Sequence, residues 1–378
     1  MAAQLIAGGR VATPDGVLDP GWVFVEDGAI SAVGAGAPAD RPDARTIDAR
    51  GSWVVPGFVD VHCHGGGGAS FTEPGQVRDA VQAHRRHGTT TTLASLVSRP
   101  VPVLVEQVAA LREHVTDGLL AGIHLEGPFL SAARCGAHDP AVLRPPNAAS
   151  VDSLLAAGRG AIRMVTIAPE LDGAVPAVKR LVDAGVLAAV GHTDALAEDV
   201  TPAVDAGASV ATHLFNGMRP LHHREPGPIG TLLDDERVTV ELICDLVHLH
   251  PTVVRLAARH AGAGRTVLIT DAISAAGAGD GVYDVGGLEV TVTDGVPTLA
   301  GGGSLAGSTL TMDAAFRNVV HRCGLGIGEA VAAASTRPAE LLGLGDVIGR
   351  IAPGYAADLV LLDETLHPSA VMKAGTWV

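Results

Sequence analysis

The feature that most constrains the fold of this chain is a regular alternation of apolar, β-branched runs with amphipathic helical patterns. Patterns such as QVRDAVQAHRRHG, SVDSLLAAG and PTVVRLAARHAG separate eight such runs. The runs are Val54–His62, Thr89–Val97, Leu119–Leu125, Ile162–Ala168, Val186–Gly191, Ser209–His213, Val238–Cys244 and Thr266–Thr270. Strands that alternate with helices pair in parallel, and eight of them predict an α/β fold, the (β/α)8 barrel. A doubly wound open sheet is the alternative.

Strand-like segments at both ends of the chain fall outside this alternation. They read LIAGGRVATP and GWVFVEDGAISAVG near the start, and ADLVLLD and AVMKAGTWV near the end. Their like character predicts one small β-sandwich domain built from residues 1–53 and 345–378, beside a barrel domain of residues 54–344. A hairpin pattern, VYDVGGLEVTVTDGVPTL, follows the eighth run. Ser308–Cys323 and Ile327–Leu342 are then expected to form the closing helices.

Composition excludes several classes of function. Apolar residues make up 47% and charged residues 18%, as in a globular protein, and the formal net charge is −15. Such an acidic chain is a poor partner for nucleic acid or anionic membranes. No apolar run approaches 18 residues and the N-terminus lacks a basic region, so we expect neither a membrane span nor a signal peptide. Widely spaced cysteines predict free thiols and a cytoplasmic location. They are Cys63, Cys135, Cys244 and Cys323.

Six residues suited to metal ligation stand at the C-terminal ends of these runs or just after them. They are His62, His64, Glu126, His192, His213 and Asp271. His62 and His64 are two apart, so an extended strand points both side chains to one face. A buried Glu126 needs a metal or an arginine as partner, and a histidine alone is more often structural. Together the set predicts a divalent metal, zinc first, with iron, manganese, cobalt or cadmium as alternatives.

Asp271 is the candidate for acid and base chemistry. A carboxylate beside a metal-bound water can accept its proton and then deliver it to a leaving amine. His138, Arg224 and His248 lie in loops after the third, sixth and seventh runs, so all three could line the same barrel mouth. The neighbouring His222 and His223 are expected to be solvated.

Nine motifs together resemble the amidohydrolase superfamily and, within it, the N-acetylglucosamine-6-phosphate deacetylase family. They are PGFVDVHCHG, GIHLEGPFL, GHTDA, THLFNGM, HREPG, DLVHLHP, TDAIS, LAGSTLTM and GRIAPGYAADLVLLD. The resemblance spans essentially the whole chain and implies a barrel with a small β-sandwich. It implies metal-dependent deacetylation of N-acetyl-D-glucosamine 6-phosphate to D-glucosamine 6-phosphate and acetate, in amino-sugar catabolism and cell-wall recycling.

The resemblance also implies which residues would hold the metal. Glu126, His192 and His213 would ligate one, with Asp271 as the catalytic acid and base. Both histidines of the HxH pair are present, so a second metal is feasible, with Glu126 bridging. Many barrel hydrolases use a carbamylated lysine as the bridge, but the only lysines are Lys179, within a helical pattern, and Lys373. One or two metals per subunit are therefore expected.

Further residues match positions that bind the substrate in this family. Arg224 would reach the phosphate of the neighbouring subunit's substrate, which implies a homodimer. His138 would polarise the acetamide carbonyl, and His248 would contact the sugar or the phosphate. The other expected substrate contacts are Ala137, Asn216, Gly217, Ser304, Leu305 and Ala306. Cys135 is either a lid residue at the pocket or a passive loop thiol.

Two other functions stay open from the residues. One is a related amidohydrolase that acts on another N-acyl amino-sugar phosphate, such as N-acetylgalactosamine 6-phosphate; the lack of a suitable lysine disfavours a cyclic amide. The second is a sugar-phosphate sensor without catalysis. The presence of Asp271 and of a complete ligand set argues against a sensor, because a binding protein has no need of an acid and base.

Overall fold

A computed structural model of the chain describes residues 3–38, 43–301 and 303–378. One of its two eight-stranded sheets has strands that neighbour one another in chain order, and the pairs from the second strand to the eighth are parallel. The strands, called first to eighth below, are Phe58–Asp60, Thr89–Val97, Gly122–Glu126, Ile162–Ile167, Leu187–Val190, Val210–Ala211, Thr239–Ile243 and Thr266–Ile269. Each lies within or overlaps one of the eight predicted runs.

The ends of the first and eighth runs lie side by side. The backbone N–H of Asp271 donates to the carbonyl oxygen of His62 at 2.8 Å, and Cys63 forms a parallel bridge with Ala272. The sheet is therefore nearly closed on itself. This confirms the predicted barrel and excludes the open-sheet alternative.

The first predicted run is divided between two sheets. Trp53–Pro56 pairs with strands from the chain ends, whereas Phe58–Asp60 begins the barrel. The break falls at Gly57, where an added Cβ would lie 2.2 Å from Thr90 Oγ1. Glycine allows this close approach, which an apolar pattern alone does not indicate.

Helices follow the barrel strands, and their buried faces carry the predicted apolar stripes. Their bounds are Val77–Arg86, Val101–Thr116, Ala148–Gly158, Ala174–Asp183, Ala197–Asp205, Gly227–Asp234, Pro251–Ala261 and Met312–His321, with short 3₁₀ turns at Pro74–Gln76 and Ala132–Arg134. The predicted segment Ile327–Leu342 is helical in three parts, Ile327–Val331, the π-helical Ala332–Thr336 and Arg337–Leu341. The prediction that a helix begins at Ser308 is wrong, because Ser308 is still extended and bridged to Ala272.

Strands from both chain ends form one further sheet, which confirms the small β-structure predicted from the termini. Its strands are Gln4–Thr13, Gly16–Glu26, Ala29–Ala35, Arg45–Asp48, Trp53–Pro56, Leu359–Leu362, Pro368–Lys373 and Thr376–Trp377. Asp27 and Gly28, both with positive φ, form an Asp-Gly turn between the strands Gly16–Glu26 and Ala29–Ala35. Ile6, Val23 and Leu359 are among the side chains buried in its core.

The hairpin predicted after the eighth run has a third strand. Gly281–Val285, Leu288–Thr293 and Val296–Leu299 form an antiparallel sheet, and Gly65–Gly66 pairs with Ala69–Ser70 in a two-stranded one. The chain divides into two compact units. One unit comprises Met1–Asp60, Gln82–Thr91 and Thr311–Val378, and the other comprises Val61–Val81 and Thr92–Leu310.

The predicted domain division at residues 53 and 345 stays a prediction, and part of it falls on residues 1–2 and 39–42, which lie outside the described residues. Within the described ranges, no helix is both long and apolar enough to span a membrane.

Candidate metal centre

The barrel brings all six predicted ligand residues together in buried positions. They form two groups that share Glu126: His62, His64, Glu126 and Asp271, and Glu126, His192 and His213. Within each group, one ligand atom from every residue lies within 4.8 Å of the others. We call the three-residue group the first position and the four-residue group the second position. Convergence at the carboxyl ends of parallel strands is the arrangement that this fold uses for active sites.

The two carboxylate oxygens of Glu126 face different positions. Oε1 lies 2.8 Å from His213 Nε2 and 3.1 Å from His192 Nε2, whereas Oε2 lies 3.2 Å from His64 Nε2 and 3.5 Å from His62 Nε2. Ligands that surround a zinc ion tetrahedrally are about 3.3 Å apart. The donor types and their separations therefore fit a divalent transition metal at either position.

Several of these residues adopt a backbone conformation that side chains disfavour. The φ angles are +46° at His192, +29° at His213 and +50° at Asp271, all in the left-handed region. Such conformations cost of order 1–3 kcal/mol each and persist where surrounding contacts impose them. At Asp271 the neighbouring contacts are hydrogen bonds to the backbones of His62 and Ser308, both 2.8 Å.

The imidazole rings are oriented by contacts at their Nδ1 atoms. His64 Nδ1 lies 3.2 Å from the Ser95 carbonyl oxygen, and His192 Nδ1 lies 2.8 Å from that of Arg134. His62 Nδ1 instead faces the carboxylate of Glu241 at 3.3 Å. A proton on each Nδ1 leaves the Nε2 lone pair free to face the cluster.

The charges of the cluster compensate one another. Burial alone would lower the pKa of His64, but hydrogen bonds with Asp271 and Glu126 raise it to about 9. Burial would raise the pKa of Asp271, whereas the charge of His62 and a hydrogen bond from His64 lower it to about 2. Asp271 is therefore ionised at neutral pH. Protons on the histidines balance the carboxylates, and a bound cation would replace those protons.

His138 has a defined protonation state. Burial lowers its pKa to about 4, so the ring is neutral at pH 7. The Ser98 backbone N–H donates to His138 Nδ1 at 3.2 Å, which leaves the proton on Nε2, 3.5 Å from Glu126 Oε2. The ring can therefore donate a hydrogen bond from Nε2 beside the cluster.

A cavity of about 290 Å³ opens onto the cluster. Most of the predicted residues line it, together with Val97, Gly136, Ile273, Val285 and Gly307, which were not predicted. The predicted residues in the lining are His64, Glu126, Ala137, His138, His192, His213, Asn216, Gly217, His248, Asp271, Ser304 and Leu305. The size and the mixed lining suit a small polar ligand.

Four predicted residues are not part of the cavity lining. His62 is fully buried, and Ala306 packs in an apolar cluster with Val285 and Val290. Arg224 is exposed, with Nη1 2.8 Å from His223 Nε2, and Cys135 is half-buried. His222 and His223 are exposed, as predicted. Whether Arg224, Ala306 and Cys135 contribute to binding stays a prediction.

His248 lines the cavity outside the six-residue ligand cluster and also has a raised pKa. Burial lowers the pKa, but a hydrogen bond with Asp245 and the charges of Asp245 and Asp271 raise it. The His248 Nδ1 and Asp245 Oδ2 atoms are 2.6 Å apart, and Asp245 Oδ1 accepts the backbone N–H of His248. His248 therefore brings positive character to a cavity in an acidic protein.

Sequence reasoning missed two buried polar residues beside the cluster. Glu241 contacts His62, and His124 packs its ring 4.5 Å from that of His62. His124 Nδ1 and Nε2 lie 2.9 Å from the hydroxyls of Ser95 and Thr166. Both residues stand inside apolar strands, and an ionisable group there needs a partner. That signal, which identified Glu126, was present at these two positions as well.

Comparison with known proteins gives consistent matches over most of the chain. Residues 53–378 match the Amidohydrolase family. The chain is 36% identical to the N-acetylgalactosamine-6-phosphate deacetylase of Escherichia coli O157:H7, covering 97% of each protein. It is 36% identical to the N-acetylglucosamine-6-phosphate deacetylase of Bacillus subtilis (strain 168), covering 94% of this chain and 91% of the relative.

Solved structures agree with these matches. A mutant N-acetyl-D-glucosamine-6-phosphate deacetylase from Mycobacterium smegmatis, in complex with N-acetyl-D-glucosamine-6-phosphate, superposes with a TM-score of 0.96 at 47% identity. That match covers 100% of this chain and 99% of the other. The N-acetylglucosamine-6-phosphate deacetylase of Thermotoga maritima has a TM-score of 0.89 at 35% identity, covering 99% of each chain.

Proposed function

The chain belongs to the amidohydrolase family, and we propose that it hydrolyses N-acetyl-D-glucosamine 6-phosphate to D-glucosamine 6-phosphate and acetate. The observation that carries the proposal is the ligand cluster bridged by Glu126 at a cavity of about 290 Å³, with Asp271 and a neutral His138 beside it. Relatives that match over nearly their whole length are named as deacetylases of N-acetylated hexosamine 6-phosphates, which supports this substrate class.

The cofactor of this reaction would be a divalent cation, with zinc as the first candidate. Glu126, His192 and His213 would hold one ion, and His62, His64, Glu126 and Asp271 a second. The imidazole and carboxylate donors, and the separations between them, support both assignments. When bound, such a cation polarises a carbonyl group and lowers the pKa of water.

Two residues of the chain would manage the proton and the developing charge. Asp271 is ionised, so its carboxylate can accept a proton from the attacking water and return it to the nitrogen of the leaving amine. His138 would donate from Nε2–H to the acetamide oxygen as negative charge forms there. Because its pKa is about 4, His138 donates this hydrogen bond while it stays neutral.

Substrate recognition would combine the cavity with a neighbouring subunit. His248, supported by Asp245, supplies positive character for a phosphate or a sugar hydroxyl. The exposed Arg224 would complete the phosphate site of the other protomer in a homodimer. The remaining contacts would be Ala137, Asn216, Gly217, Ser304 and Leu305, with Ala306 packed behind them. The wide spacing of the four cysteines supports a cytoplasmic enzyme.

The galactosamine epimer is a second candidate substrate. It is favoured by one observation, the 36% identity with a relative named N-acetylgalactosamine-6-phosphate deacetylase over 97% of both proteins. The two sugars differ in configuration at C4 alone, so both would present the same acetamide to Asp271 and His138.

The test is acetate release by the metal-loaded chain. N-acetylglucosamine 6-phosphate, N-acetylgalactosamine 6-phosphate and unphosphorylated N-acetylglucosamine are compared at equal concentrations, with and without a chelator. We expect rapid, chelator-sensitive release from the glucosamine phosphate and far slower release without the phosphate. Preference for the galactosamine phosphate would transfer the assignment to the epimer. Absence of release from both phosphates by a metal-loaded chain would refute the proposed reaction.

A further inference from the structure

We propose that Glu241 is a positioning residue for the second position. It holds the ring of His62 in the orientation in which Nε2 faces the other residues of that position. The inference rests on the proposed function in taking His62, His64, Glu126 and Asp271 as a cation site. It concerns how the chain itself sets the number of cations that it holds.

Glu241 connects the two positions through a single oxygen atom. It lies in the seventh strand and is fully buried. Its Oε2 atom is 3.3 Å from His62 Nδ1 and 3.2 Å from the backbone nitrogen of His213. The same oxygen can thus accept a hydrogen bond from one residue of the second position and one of the first. A proton held on His62 Nδ1 directs the Nε2 lone pair towards Glu126 and Asp271.

The support given to His62 differs in kind from that given to the other histidines. His64 and His192 direct Nδ1 at backbone carbonyl groups. His213 Nδ1 meets no hydrogen-bond partner among the residues that the structure describes. His62 faces a carboxylate, which orients the ring and increases the basicity of its other nitrogen. Glu241 is therefore a side chain whose replacement should weaken the second position more than the first.

The other oxygen of Glu241 indicates that the residue does not serve packing. Oε1 is buried and has no hydrogen-bond partner in the described parts of the chain. A half-satisfied buried carboxylate is unfavourable, and an apolar residue like the adjacent Leu242 would avoid that penalty. Glu241 thus contributes a contact to His62 that packing does not require.

The experiment counts cations and does not use the substrate. The metal-free chain is titrated with Zn²⁺ and separately with Co²⁺, by calorimetry, and bound metal is quantified after dialysis. For the wild type we expect two equivalents. Glu241→Gln keeps the shape but removes the charge, and should weaken one equivalent by about tenfold or more while the other changes by less than about threefold. Glu241→Leu should weaken the same equivalent further.

Thr166→Val is the matched control. Thr166 is a buried polar residue of the same barrel interior, and its hydroxyl contacts His124 and Thr212 but none of the predicted ligands. Both equivalents should keep their affinity in this variant. Circular dichroism and thermal unfolding of the metal-free proteins separate a loss of fold from a loss of binding.

Three results would overturn the assignment. They are identical titrations of Glu241→Gln and the wild type, equal weakening of both equivalents in a folded Glu241→Gln protein, and a wild type that binds a single equivalent. Because cations are counted directly, a failure of acetate release alongside the expected titrations would count against the proposed substrate and leave the role of Glu241 intact.

Discussion

Single residues determine the chemistry of this site through their immediate neighbours. Glu126 faces the first position with one oxygen and the second with the other, so no separate bridging lysine is needed. Asp271 belongs to the second position, and its Oδ1 atom lies 3.2 Å from His64 Nε2. Among the contacts that the structure describes, its carboxylate meets histidines and no arginine, which suits a group that must carry a proton.

The role of Asp271 is testable by an isosteric change. Asp271→Asn keeps the size of the side chain but removes the basic oxygen, so we expect turnover to fall about a hundredfold or more. The cation of the first position should remain, because that position does not include Asp271. Steady-state acetate release and metal analysis on the same preparation measure both. Near-normal turnover with full metal content would remove Asp271 from the mechanism.

The sequence allows prediction of site residues where an ionisable side chain stands among apolar ones. Glu126 was found because a carboxylate between apolar residues needs a partner, and the same argument applies to Glu241 inside VTVELIC. Protonation states could not be predicted in this way. The neutral state of His138 follows from its burial, and its tautomer from the Ser98 N–H, and neither is visible in the local sequence.

Loops that follow different barrel strands pack against the ring of His192. Gly136, after the third strand, and Gly217, after the sixth, lie against this ring, where an added Cβ would come within 2.9 Å and 2.8 Å of it. Asp194 links the same loops by accepting from Arg134 Nε at 2.8 Å and from Arg219 Nη2 at 2.7 Å. The first position therefore depends on how these loops pack.

Adding one methyl group should disturb this packing. In Gly217→Ala the new Cβ would clash with His192 Nδ1, and the φ of +60° is also unfavourable for alanine. We expect metal affinity at the first position to fall about tenfold or more, measured by competition with a chelator. Gly118→Ala is the control, since Gly118 has a φ of +73° and no atom within 4 Å of an added Cβ. Equal effects of both variants would mean that backbone strain alone is responsible.

The N-terminus of the helix Met312–His321 carries a pH-dependent contribution to stability. Burial would raise the pKa of Asp313, but hydrogen bonds from His87, Thr311 and Arg317 hold it well below its usual value. Asp313 Oδ2 accepts from Arg317 Nη1 at 2.5 Å, and the carboxylate is almost completely buried. Because the pKa is lower in the folded chain, this stabilisation is complete above a pH of about 4 and is lost as the pH falls further.

Asp313→Asn should therefore reduce the free energy of unfolding by about 2 kcal/mol at pH 7, with the difference from wild type shrinking below a pH of about 4. Urea unfolding across this pH range measures it. Asp48→Asn is the comparison, because hydrogen bonds from Arg50 lower the pKa of Asp48 to about 2 although the residue is exposed. Solvent screens that pair, so no resolvable change is expected. A constant effect of Asp313→Asn at every pH would exclude the ionic explanation.

Elements were predictable where the periodicity was strong. All eight barrel strands were found, whereas the helix Gly227–Asp234 was not, because GPIGTLLD contains two glycines and a proline and has a weak helical pattern. The division of the first run at Gly57 also escaped prediction, since it depends on the approach of Thr90 from another part of the chain.

At the scale of the whole molecule, the charge makes the capture of an anionic substrate a local problem. The formal net charge is −15, so the overall field repels a sugar phosphate. Outside the ligand cluster, His248 is a cavity residue with a raised pKa, and Arg224 is exposed and outside the lining of that cavity. A second copy of the chain that delivers Arg224 would add the missing positive charge, which is the reasoning behind the proposed homodimer.

Mixing two inactive variants tests this arrangement. Asp271→Asn and Arg224→Ala proteins are each expected to be severely impaired. If Arg224 serves the partner's site, a heterodimer contains one site with both Asp271 and Arg224 intact and one that lacks both. Random reassortment of a two-fold dimer should then restore about a quarter of wild-type activity at saturating phosphorylated substrate. If Arg224 serves its own subunit, every site in the heterodimer lacks one of the two residues and mixing restores nothing. The assay is acetate release after dissociation and reassembly, with each variant reassembled alone as the control.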